Sequence, residues 1–156
     1  MQLPTPKAQL LADLENVFSG EPWFGNSALR ILEGVSPQQA ITPVAGRRIY
    51  TILLHMLAWR DYLLRQLLGE ANFDIETNSV VDWPHYTHET AAAWPRALAS
   101  LKENQQKLVT ALRNLPDEQL YETVPRRPFS FAFLVNGLLQ HDAYHLGQIA
   151  LLQKLL

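Results

Sequence analysis

The chain of 156 residues has 47% hydrophobic side chains, a net charge of −2 and no cysteine, which fits one globular domain, residues 1–156, long enough for a sizeable core. Its Lys and Arg residues are scattered rather than clustered, which argues against nucleic acid and anionic membrane surfaces as partners. The absence of cysteine excludes a disulfide framework, so any thiol chemistry must use a thiol brought by a substrate or cofactor.

The first helix opens at Thr5 as N-cap with Pro6 at its first position, both favoured there. Leu10, Leu11, Leu14, Val17 and Phe18 mark one face until Ser19-Gly20 stops it. Residues 21–48 form a connector too long for a bare loop in a compact domain, and Asn26 and Ser36-Pro37 can each start a short helix within it. A second long helix covers about 47–68 and stops at Gly69; Ile49, Ile52, Leu53, Met56, Leu63 and Leu67 form its stripe, with Arg47, Arg60 and Arg65 expected on wet faces.

A polar stretch follows over residues 70–88. Thr87 is a plausible cap for the third helix, which runs to about Asn114. Pro95 lacks the N–H a helix interior needs, so that helix starts late or bends near Trp94. Residues 116–120 read as one helical turn and 125–128 as an extended linker. Ser130 caps the last helix, whose core stripe is Leu134, Leu138, His141, His145, Gln148 and Leu152. Four long helices and no strand pattern make an all-α four-helix bundle, with one long connection between the first and second long helices.

His141 and His145 stand four residues apart on the bundle-facing stripe, so both imidazoles leave one helix face within reach of a single ion. One buried histidine is commonly an ordinary core residue bonded to a polar neighbour. Two at this spacing each need a partner and would repel if both protonated. His55, on the second long helix, supplies a third corner. His85 and His88, in the polar stretch, read as solvated loop residues, with a fourth ligand or proton shuttle as the functional alternative.

The segment Phe133-Leu-Val-Asn-Gly-Leu-Leu-Gln-His-Asp-Ala-Tyr-His-Leu-Gly-Gln-Ile-Ala-Leu-Leu152 resembles the last helix of the DinB-like superfamily, the damage-inducible four-helix proteins. Pro22-Trp-Phe-Gly-Asn-Ser27, the segment 52–61 around His55, Trp83-Pro84, Trp94 and Leu115-Pro-Asp-Glu118 are similar in the same order. The most specific part is the HxxxHxGQ pattern ending at Gln148. The resemblance implies a four-helix bundle, frequently a homodimer, and one divalent metal, zinc or nickel, on His55, His141 and His145. Thiol-dependent transferases and a mycothiol-dependent isomerase belong to that family, so it implies a small-molecule substrate and a low-molecular-weight thiol.

Three neutral imidazoles leave a divalent ion an open position, the arrangement of a catalytic rather than a structural site. The reading is a metal-dependent enzyme, a transferase, with a hydrolase or a non-catalytic metal-containing bundle as alternatives. Gln148 and Asn136 are candidates to accept the second ring N–H of a ligand histidine. Asp142 and Tyr144 point about 100° away from their neighbouring histidines; Asp142 reads as a surface or interhelix salt-bridge residue. No Glu stands beside the pair, so the HExxH arrangement of zinc proteases is absent and no general base is assigned. Trp23, Trp59, Trp83 and Trp94 read as core before pocket. No apolar stretch reaches the roughly 20 residues of a membrane span, and the first residues lack a signal-peptide pattern, so a soluble cytoplasmic protein is expected.

Overall fold

The computed structural model describes residues 5–84 and 90–156, so Thr87, His85 and His88 lie outside the described residues. Helix α1 is Pro6–Ser19, capped by the Thr5 hydroxyl, which accepts from the Ala8 N–H at 3.2 Å. Two short helices follow within the long connection, α2 at Ala28–Glu33 and α3 at Pro37–Ile41. Ser36 and Gln39 cap α3 reciprocally, each side chain bonding the other's backbone N–H. The second long helix is α4, Ile49–Leu67, and Gly69 leaves it at φ +83°, a left-handed conformation that favours glycine.

Helix α5 is Ala93–Asn114, a late start that puts Pro95 in the first turn, where its missing N–H deprives the helix of nothing. The indole N–H of Trp94 donates to the Val35 carbonyl at 3.0 Å and pins that start to the loop between α2 and α3. A 3₁₀ turn, Glu118–Tyr121, stands where one helical turn was expected. Residues 125–128 correct the expectation of an extended linker. Arg126 sits at φ +64°, and the chain folds back so that the Val124 N–H donates to the Phe129 carbonyl at 2.9 Å. Ser130 then caps α6, Phe131–Leu155, by accepting from the Phe133 N–H.

Helix α4 packs on α5 and α6, and α1 packs on the same two helices, which places α1 across the bundle from α4. No described helix is long and apolar enough to cross a membrane.

The core is divided. One apolar cluster gathers Leu10 and Leu14 of α1, Leu63 and Leu67 of α4, Leu108 and Leu112 of α5 and Leu134 and Leu138 of α6. The other gathers Phe18, Ile52, Met56, Leu101, Leu146 and Ile149 with the short helices. Between them lies a buried polar layer. Arg60, expected in water, is 1% exposed. Its Nη2 meets Asp142 Oδ2 at 2.7 Å and its Nη1 donates to Gln105 Oε1 at 2.9 Å. Gln105 Nε2 in turn donates to the Leu14 carbonyl at 3.1 Å, so the layer touches all four long helices. Asp142 is thus an interhelix partner and not a surface residue. Burying such a pair is costly; the Arg60 fork bonds Asp142 Oδ2 through Nε and Nη2, and Asp142 Oδ1 is buried without a hydrogen-bond partner among the described residues.

Candidate metal centre

The histidines sit at the level of this polar layer. His55 comes from α4 and is 5% exposed; His145, from α6, is 4% exposed. His141, one turn before His145, is half-buried. Each of the three offers a ring nitrogen within 4.8 Å of the other two. The Nε2 atoms of His141 and His55 are 2.9 Å apart.

The outer ring atoms decide what the inner ones present. His55 Nδ1 lies 2.8 Å from the Asp82 carbonyl oxygen and 2.9 Å from its Oδ1, so Nδ1 carries the proton and donates. His145 Nδ1 lies 2.8 Å from Gln148 Oε1 and donates likewise. Both imidazoles therefore turn a lone pair on Nε2 inward. Burial lowers the proton affinity of His55 against the opposing bond to Asp82. Burial also pushes His145 down to about 4, helped by His141 and His55 close by and opposed by the Gln148 bond. Near neutral pH both are uncharged, the form a metal ligand needs.

Asp82 is a residue that no sequence pattern places here. It is 1% exposed, and its carboxylate accepts from the Trp59 indole N–H at 2.7 Å and the Asn78 N–H at 2.7 Å. Ser79 Oγ accepts from the Asp82 N–H, which fixes the loop around it. Trp83, the next residue, stacks flat on His55 with ring centroids 3.8 Å apart and planes 4° from parallel. Arg47 lies over the same indole, its Cζ 5.4 Å from the ring centroid.

Gln148 is placed against His145. Asn136 is not brought to the cluster: it is exposed and donates to the Ala132 carbonyl of its own helix at 2.9 Å. Tyr144 is 64% exposed, with its ring edge-on to His145 at 5.0 Å. Trp23 is fully exposed and Trp94 is buried away from the triad, against Val35. His141 Nδ1 is buried without a hydrogen-bond partner among the described residues and lies 3.9 Å from Asp142 Oδ1.

Three imidazoles on two rigid helices, two of them oriented by outer acceptors, fit a divalent ion. The donor set is borderline-soft nitrogen, which suits zinc, nickel, copper or iron better than calcium or magnesium.

Comparison with known proteins agrees on the fold. Residues 26–149 match the model of a family described as the DinB superfamily. Searches of curated proteins and of solved structures return no match. With the family match running from before α2 to near the end of α6, and with an all-helical bundle carrying the histidine triad, the chain belongs to the DinB superfamily.

Proposed function

We propose that His55, His141 and His145 hold one divalent ion, zinc or nickel, through their Nε2 atoms, and that the protein is a metal-dependent transferase acting with a low-molecular-weight thiol. The observation that carries this reading is the pair of outer hydrogen bonds, His55 to Asp82 and His145 to Gln148, which fix the tautomers with Nε2 lone pairs converging. When bound, such an ion supplies an open coordination position at which a thiol or a water is acidified.

The protein's own groups support transfer over hydrolysis. Among the described residues, Asp82 is committed to Trp59, Asn78 and His55, and Asp142 bonds Arg60 through Oδ2, while its Oδ1 is buried without a hydrogen-bond partner. Asp82 has no oxygen free to act as a general base on water, and the unpartnered Asp142 oxygen is shielded from solvent. A thiol needs less help, since its pKa is about 8.5 against about 15.7 for bulk water. Trp83 covers one face of His55 and keeps water from it, while the bonds of Asp82 hold that imidazole in a single orientation. A homodimer belongs to the same reading; Tyr144, Leu151 and Leu155 leave an apolar strip exposed along α6, and a dimer mass by light scattering is the expected result.

Elemental analysis of untagged protein is the direct test. Near one zinc or nickel per chain, lost in His55→Ala and His141→Ala, followed by metal-dependent conjugation of an electrophile with a cellular thiol, is the expected outcome. Metal without any conjugation would favour the non-catalytic bundle, and no metal after supplementation would remove the metal reading altogether.

A further inference from the structure

A cavity of about 230 Å³ opens beside the triad, and His141 forms one end of its wall. Phe129, Phe133, Leu134 and Leu138 supply most of the remainder, with Trp59 reaching across from α4. Among the described residues only two lining side chains carry polar atoms. The Trp59 indole N–H is already given to Asp82 Oδ1 at 2.7 Å, so it has nothing to offer a ligand. The other is the His141 imidazole, whose ring centroid lies 6.0 Å from that of Trp59. Among the described residues no charged one lines the space.

The size is informative. Whole small-molecule sites occupy roughly 300–1,000 Å³, whereas a dry apolar cavity of about 150 Å³ holds a benzene ring. This cavity therefore accepts one group of a ligand and not all of it. Gly137 lies in the lining, in the middle of α6, and a Cβ added to it would meet nothing within 4 Å. Glycine there costs helix stability relative to alanine, and what it leaves is open volume on the cavity side. The Phe129 and Phe133 rings, 5.1 Å apart between centroids, bound the same volume, and Phe133 is 62% exposed at its mouth.

We infer that this cavity is the subsite for an uncharged apolar group of the substrate, an aryl or branched alkyl group, seated with its reacting end toward His141. The inference rests on the metal-centre reading above and narrows it. The substrate has two ends: a polar end at the histidines and an apolar end that no charged side chain meets. A charged group in the cavity would lose its hydration with no partner to replace it. The aromatic walls provide stacking surface that a ring fills best.

The test is a fluorescence titration of the zinc-loaded protein with N-phenyl-1-naphthylamine, a neutral fluorophore that brightens in apolar surroundings. Saturable binding at one probe per chain is expected. Gly137→Ala should leave it nearly unchanged, and Gly137→Leu, which fills the cavity from a backbone that tolerates a side chain, should weaken it roughly tenfold or more. Phe133→Gln changes only an exposed residue at the mouth, so it keeps the fold and should also weaken binding. Zinc content is measured on every variant and should not change. No saturable binding to the parent protein, or parent-like binding in both Gly137→Leu and Phe133→Gln, overturns the subsite. Probe binding that obeys the series in a protein that takes up no zinc overturns the metal reading and leaves the cavity as an apolar-group site.

Discussion

The indole of Trp83 lies flat on the imidazole of His55, 3.8 Å between ring centroids, and a second indole, Trp59, bonds the carboxylate that orients the same imidazole. Two of the four tryptophans thus touch the histidine cluster or the carboxylate that orients it. Nickel or copper added to the metal-free protein should quench a large part of the tryptophan emission. Trp83→Phe and Trp59→Phe should each remove a share of that quenching, and Trp94→Phe should not. Equal quenching in all three variants would mean the ion binds elsewhere.

Asp82 holds His55 from outside the site with its backbone carbonyl and its carboxylate. Outer partners of this kind are worth roughly 10–100-fold in metal affinity. Asp82→Ala should weaken zinc binding by about that range, read by competition with a chromophoric chelator. Asn136→Ala, whose side chain bonds only its own helix among the described residues, should leave affinity unchanged.

The Arg60–Asp142 pair is buried on both sides, each side chain 1% exposed. Asp142→Ala would strand a guanidinium in the core, a change that costs about 3–5 kcal/mol. The double variant Arg60→Met with Asp142→Leu should recover most of that loss in urea denaturation. A single variant as stable as the parent would show that water reaches Arg60.

The histidines give the metal-free protein a directional pH response. His145 titrates near 4 when folded and near the ordinary value of about 6.5 when unfolded. Between these values the unfolded chain holds more protons, so stability rises with pH across that window and is flat in this respect above it. His55 acts in the same direction. Urea midpoints should therefore fall as pH drops from 7 toward 4, less steeply in His145→Gln. A midpoint that climbs on acidification would contradict the burial of these rings as neutral species.

The bundle and its three histidines were legible because helices convert spacing into faces. His141 and His145 fall on one face, and the caps at Thr5, Ser36 and Ser130 are local signals that tertiary packing left in place. Arg60 was misread because charge was weighed above position. It lies four residues after Met56 and three before Leu63, on the buried stripe, and Asp142 lies four after Leu138 on its own. Opposite charges set into two apolar stripes were a readable sign of a buried pair. Asp82 and Trp83 had no such sign. They come from a loop with no period, and only the closed structure sets that loop against α4. Pro125 and Pro128 suggested extension, whereas the turn depends on Arg126 adopting a conformation its side chain does not advertise.

The division of the core into two apolar halves has a consequence for how such a chain can vary. The polar layer works as a seam: its members bond to one another and to the backbone of α1, and Phe18 of one half lies under the Arg60 guanidinium, 5.5 Å from Cζ to ring centroid. Leu134, Leu138 and Phe129 can be exchanged for larger or smaller residues in one half, reshaping the space beside His141, while Met56, Leu101, Leu146 and Ile149 keep the other half closed. On the proposed function, the metal would be held at the seam and the apolar group of a substrate would meet one half alone, so the two could change independently of each other.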